Sequence, residues 1–147
     1  MHSLEKKARR LNPVIELKKS RFDAELAQLN VVRQRKIEVV AAMRATQKQY
    51  MDGVGRLNDE RGTMNRLMLE ALETGLDNVK GLWMKLYQDV LDLEKIEKQQ
   101  AEIMSRAHRE LEAIQSLQDK YKLAWTQELD KREQKMMDEH AQRKFYR

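Results

Sequence analysis

Residues 51–65 read MDGVGRLNDERGTMN and hold three of the chain's five glycines. Such a stretch does chemistry when successive backbone N–H groups converge on a phosphate at a helix N-terminus. The spacing here is Gly53-x-Gly55 and then Gly62. It matches neither GxGxxG nor a P-loop ending in Gly-Lys-Ser/Thr, and no strand precedes it to aim the N–H groups. The stretch is read as a helix–helix turn, with Gly supplying the left-handed residue at the helix end and Asn58 or Thr63 capping the next helix.

The other chemistry-bearing residues point the same way. Histidines stand at 2, 108 and 140. HRELE at 108–112 gives one imidazole and no second ligand at i+4, so it is not a zinc helix. The chain has no cysteine, which excludes thiolate metal sites and disulfides. Carboxylates are plentiful, but none is expected in a dry pocket that would separate two pKa values for acid–base work. Catalysis by this chain alone is not expected, and no cofactor or metal is called for.

The basic residues are more informative. KKARR at 6–10 and ELKKSR at 16–21 place seven Lys/Arg against two acids in residues 1–21, which is the whole net charge of +5. A basic end can meet phosphates or an acidic protein surface. Nothing here resembles a reading motif or an aromatic stacking platform for nucleic acid. The segment has too few bulky apolar residues to insert into a membrane surface. No apolar run approaches the roughly 20 residues of a membrane span, and no signal-peptide h-region follows the basic start. The expected location is cytoplasmic.

These residues must be carried by long helices. Charged residues make up 36% and aromatics 5%, a balance typical of coiled coil. Residues 14–52 and 82–147 contain neither Gly nor Pro and are dense in strong helix formers. Asn12-Pro13 suits a helix start, with Asn as cap and Pro at the first helical position. A seven-residue ladder runs through Ile15, Phe22, Leu29, Lys36, Met43, Tyr50 and Leu57. Its companions Leu26, Val32, Val39 and Val40 drift between the +3 and +4 places. A cleaner seam runs Leu72, Leu76, Val79, Trp83, Leu86, Val90, Leu93, Glu97, Gln100, Met104, Ala107, Leu111, Ile114, Gln118, Tyr121 and Trp125. Steps of four and three kept this long signal a left-handed coiled coil. The polar step at Glu97 and Gln100, flanked by Ile96 and Ile103, favours a local register shift over a register-setting polar layer.

The expected fold is all-α: a long two-helix antiparallel coiled-coil hairpin of unequal helix lengths. Helix 1 covers about 14–52, the turn about 53–63, helix 2 about 64–140 and a tail about 141–147, forming one domain. At 1.5 Å per residue the helices span about 60 Å and about 110 Å, so the C-terminal end overhangs unless residues 1–12 continue the first helix. Beyond Trp125 the seam stops, and Met136, Met137, Phe145 and Tyr146 have no partner stripe. Gly75 and Gly81 lie inside the second helix and are read as tolerated softness near the turn.

The tail also carries a local pattern. EQKMMDEHAQR at 133–143 is similar to the tail of flagellar members of the FliJ/YscO family, the central-stalk proteins of flagellar and type III secretion export. Gln134, Lys135, Met137, Asp138, Glu139, Ala141, Gln142 and Arg143 fill it. The layout of two unequal helices with a basic N-terminal end also resembles this family, and the flagellar and injectisome branches stay open.

The resemblance implies a non-catalytic stalk, similar in shape to the γ subunit of rotary ATPases. Its paired ends insert into a hexameric secretion ATPase, stimulate it and link it to the membrane export gate. Export chaperones are further implied partners. Carried onto this sequence, Lys6, Lys7, Arg9, Arg10, Lys18, Lys19 and Arg21, with Lys135, Met137, Asp138 and Arg143, face the ATPase. Leu72, Leu76 and Val79 are the gate candidates, or plain core. Two readings outside the family remain: a generic coiled-coil scaffold or dimerisation module, and a basic nucleic-acid-binding rod.

Overall fold

The computed structural model describes residues 3–145; His2 and Tyr146 lie outside them. The described residues form two α-helices, α1 (Ser3–Glu60, 58 residues) and α2 (Arg66–Phe145, 80 residues), and no strand. The fold is an all-α helical hairpin with unequal helices, as expected. Both helices are longer than the spacing of Gly and Pro suggests. The turn is only residues 61–65, and Gly53 and Gly55 are helical.

Local bonding explains the turn. The Glu60 carbonyl accepts from Thr63 N (3.0 Å), Met64 N (3.1 Å) and Thr63 Oγ1 (3.0 Å), which closes α1. Among the described residues no glycine has positive φ, so no left-handed Gly cap is used. α2 opens at Asn65, whose Oδ1 accepts from Met68 N at 2.8 Å, the bond of an N-cap residue. Asn58 and Thr63, the expected caps, sit before it.

At the other end, α1 continues without a break through Pro13. Proline removes the N–H that would reach the Arg9 carbonyl. Arg9 and Pro13 both lie on the exposed face of α1. Asn12 is therefore not a cap; its side chain bonds across the helix pair to Gln118.

The chain divides into two compact units: residues 1–25 with 103–147, and residues 26–102. In the first unit, Ala8 and Asn12 meet Gln118, Lys18 meets Glu110, and Phe22 stacks on His108 (centroids 5.0 Å apart). Rising numbers in α1 meet falling numbers in α2, so the packing is antiparallel. Ala8, Ala107, Leu111 and Gln118 are buried. Leu11, Ile15, Lys18, Phe22 and Glu25 are half-buried. From Lys131 to Phe145 every residue of α2 is exposed.

In the second unit, Lys36 meets Glu97, Tyr50 stacks on Trp83 (5.8 Å), and Arg61 meets Glu73. Leu29, Val39, Thr46, Leu57, Leu76 and Val90 are buried. Thr46 donates its hydroxyl to the Ala42 carbonyl at 2.8 Å, so its burial leaves no orphan donor.

All sixteen expected seam positions of α2 are buried or half-buried, Glu97 and Gln100 included. Ile96 and Ile103 are 47% and 38% exposed. The seam therefore continues without the expected register shift, and Glu97 forms a polar layer. In α1 the companion step stays at +3 throughout: Leu11, Lys18, Glu25, Val32, Val39, Thr46 and Gly53 are all buried or half-buried. Leu26 and Val40 only flank it. Most seam residues keep some exposure, so each contributes part of the roughly 1.5–3 kcal/mol of a fully buried large apolar side chain.

Candidate partner-binding surfaces

The first unit collects every residue assigned to the ATPase by resemblance. It carries 17 Lys/Arg against 12 Asp/Glu, hence +5, while the second unit carries 12 against 12. The excess positive charge of the chain therefore resides where the start of α1 packs on the C-terminal part of α2.

Within this unit the basic residues fall into two groups. Lys18 Nζ donates to Glu110 Oε2 at 3.0 Å, and Arg21 Nη1 lies 3.9 Å from the same oxygen. The Lys18 hydrogen bond and charge, aided by Arg21 and Arg106, hold the Glu110 carboxyl below its ordinary value. Arg9 Nη2 pairs with Glu5 Oε1 at 2.8 Å, and Lys7 Nζ lies 5.9 Å above the Tyr121 ring. Lys18, Arg21 and Lys7 thus face groups of α2, while the Arg9 pair lies within α1. Lys6, Arg10 and Lys19 are exposed and form no ion pair among the described residues. Like Lys135 and Arg143 of α2, they are cations open to a partner.

Lys135, Met137, Asp138 and Arg143 lie on the exposed C-terminal stretch of α2, with Met137 72% exposed. Lys135 and Asp138 border a shallow recess with Asp130, Lys131 and Gln134. A local ion pair, Arg132 Nη2 to Glu128 Oε1 at 3.5 Å, supports this stretch.

A cleft of about 380 Å³ between the helices is lined by Glu5, Ala8, Arg9, Asn12, Gln118, Lys122, Trp125 and Thr126. At its base Gln118 Nε2 donates to the Ala8 carbonyl (2.9 Å) and to Asn12 Oδ1 (2.6 Å). Sequence reading missed it, because Ala8 lies ahead of the ladder that begins at Ile15.

The gate candidates lie in the second unit and do not share one environment. Leu76 is buried against Gly53, whereas Leu72 and Val79 are half-buried. Leu76 is thus core. The same unit has exposed apolar residues that the seam pattern does not explain. Leu67 and Met68 follow the turn, 79% and 61% exposed, and Lys80, Trp83, Met84, Tyr87 and Gln88 line an apolar recess on α2. Lys80, Trp83, Met84 and Tyr87 fall at i, i+3, i+4 and i+7, but the first is a lysine and Trp83 also belongs to the seam, which masked the pattern.

Among the described residues no group of His, Asp and Glu could hold a metal ion. His108 Nε2 contacts Glu112 Oε1 at 2.8 Å on the surface, which is a helical i,i+4 pair. No helix is long and apolar enough to cross a membrane among the described residues.

No curated protein and no solved structure matches the chain. The family model described as flagellar FliJ protein matches residues 6–147. That covers nearly the whole chain, both units and all the residues assigned above, and the chain belongs to the FliJ family, the structural, non-catalytic components of the flagellar export apparatus.

Proposed function

We propose that the chain is the stalk of a hexameric flagellar secretion ATPase. The start of α1 and the C-terminal part of α2 enter the ring, promote hydrolysis and connect the ring to the export gate. The observation that carries this reading is the concentration of charge. The unit holding all the assigned ring residues has the chain's whole net charge, and Lys6, Arg10 and Lys19 there form no ion pair among the described residues. Uncommitted surface cations speed encounter with an acidic partner and fix its orientation.

Leu72 and Val79 serve as gate contacts in this reading, and Leu76 supports them from the core. Export chaperones dock on the same protein, at the cytoplasmic face of the membrane apparatus. The test is the ATP hydrolysis rate of the partner ATPase with and without this chain at near-physiological salt. Stimulation at one chain per ring supports the stalk. No change, with the chain helical and monodisperse, rejects it in favour of a scaffold.

A further inference from the structure

The polar layer in the second unit sits beside an apolar residue that fits the same place. Glu97 occupies the seam of α2, with Oε1 3.9 Å from Arg33 Nε and Oε2 3.4 Å from Lys36 Nζ. The Glu97 and Lys36 side chains are 25% and 29% exposed. Ile96, one residue earlier, is 47% exposed. An apolar side chain is thus left in water while a carboxylate takes the inward position.

Two seams are open to this part of α2. The observed one steps Leu93, Glu97, Gln100, by four and then three. The other steps Leu93, Ile96, Gln100, by three and then four. Both begin and end on the same residues, so exchanging them slides nothing. It requires only a local rotation of α2, roughly half of the 100° that separates neighbouring residues, with slight overwinding. The sequence repeats the offset one heptad on, where Ile103 precedes the seam residue Met104.

We infer that Arg33, Lys36 and Glu97 form a latch that holds α2 in one of two rotational packings, the second of which turns Ile96 inward and Glu97 outward. The latched packing gains the ion pairs; the alternative gains burial of Ile96 and returns the carboxylate to water. A two-state element of this kind is biased by anything that acts on one packing alone, such as salt screening the pair or a partner covering Ile96. The latch stands apart from the ATPase reading and does not depend on it.

The absence of native cysteine makes a single introduced thiol unique. Ala101 is half-buried on the side of the seam opposite Ile96, so rotation exposes it. Val90 is 7% exposed and lies before Leu93, where the two seams join, so a rotation confined to residues 93–100 leaves it in place. Alkylation is measured on full-length Ala101→Cys and Val90→Cys chains, each with and without Glu97→Lys, which sets like charges against Lys36 and Arg33. With Glu97→Lys, the thiol at position 101 should label about fivefold faster while the thiol at position 90 stays protected. Adding Ile96→Lys should abolish that pattern. Unchanged labelling at position 101 with helicity intact overturns the latch. Equal acceleration at position 90 also overturns it, because the helices then open rather than rotate.

Discussion

Gly53 of α1 faces Leu76 of α2 so closely that a Cβ built on Gly53 would overlap Leu76 Cδ2. Leu76 is 8% exposed, so a methyl at position 53 would have to turn its side chain within the seam. Glycine in a helix interior costs about 1 kcal/mol relative to alanine, yet here it lets two helices approach. Gly55, Gly75 and Gly81 have nothing within 4 Å of a built Cβ. The four glycines should therefore split on substitution. Gly55→Ala, Gly75→Ala and Gly81→Ala should each raise stability by up to about 1 kcal/mol. Gly53→Ala should lower it by about 1–3 kcal/mol, the usual cost of overpacking. Urea unfolding midpoints followed by circular dichroism decide this; stabilisation by Gly53→Ala would show that the Leu76 side chain moves aside at little cost.

Asn12 and Pro13 can be separated in the same way. As an N-cap Asn12 would tie down the start of a helix, whereas in the structure its Oδ1 accepts from buried Gln118 inside the helix pair. Asn12→Ala should cost about 0.5–1.5 kcal/mol, the net value of one hydrogen bond, and Asn12→Ser should not rescue it. Pro13→Ala should stabilise the chain, since it restores the N–H that pairs with the Arg9 carbonyl. If Asn12 were a true cap with Pro13 at the first helical position, Ser would substitute well and losing the proline would bring no gain. Urea unfolding reads both.

Glu110 carries a pH signature. Its carboxyl is held below its ordinary value of 4.5, first by the Lys18 hydrogen bond and charge and then by Arg21 and Arg106. A group whose folded pKa is depressed contributes stability that is present above its unfolded value and is lost as pH falls through the folded one. Glu110→Gln should therefore be less stable than the parent at pH 7. The gap should close as pH drops below the glutamate range, and should also shrink in high salt, because the site is solvent-exposed. Thermal midpoints of both chains from pH 7 to pH 3 measure it. A gap that persists at low pH would mean that the substituted amide disturbs packing rather than charge.

The two helices were unequally legible. In α2 bulky apolar residues mark the seam at nearly every step, so spacing alone placed sixteen inward positions. In α1 the +3 companions include Lys18, Glu25, Thr46 and Gly53, which no hydropathy pattern marks as inward. Long charged side chains can lay their stems in a seam and keep their heads in water, and only the partner helix shows that they do. Gly53 and Gly55 read as helix breakers because propensity is local; at Gly53 the close approach to Leu76 is tertiary, whereas Gly55 is carried within α1 with open space beside it. Glu97 suggested a shift because the matching polar rung, Lys36, lay in a different segment and no register connected them. The ring and gate assignments came from resemblance; burial alone then moved Leu76 into the core.

Cations that build the hairpin should respond differently to reversal from those free to bind. Lys18 and Arg21 share Glu110, so Lys18→Glu with Arg21→Glu places three acids together and should lower the thermal midpoint. Lys6 and Arg10 are exposed without an ion pair among the described residues. Lys6→Glu with Arg10→Glu should leave unfolding and helicity unchanged, yet weaken binding to the ATPase about tenfold at low salt, mainly through a slower association rate. The deficit should shrink as salt is raised, since screening removes the attraction that reversal destroys. Kinetic binding measurements at two salt concentrations, run beside thermal unfolding, distinguish the groups. If the Lys6/Arg10 variant associates as fast as the parent, the basic surface of the first unit is not the ring contact. The stalk reading would then have to rest on the exposed stretch around Lys135, Asp138 and Arg143.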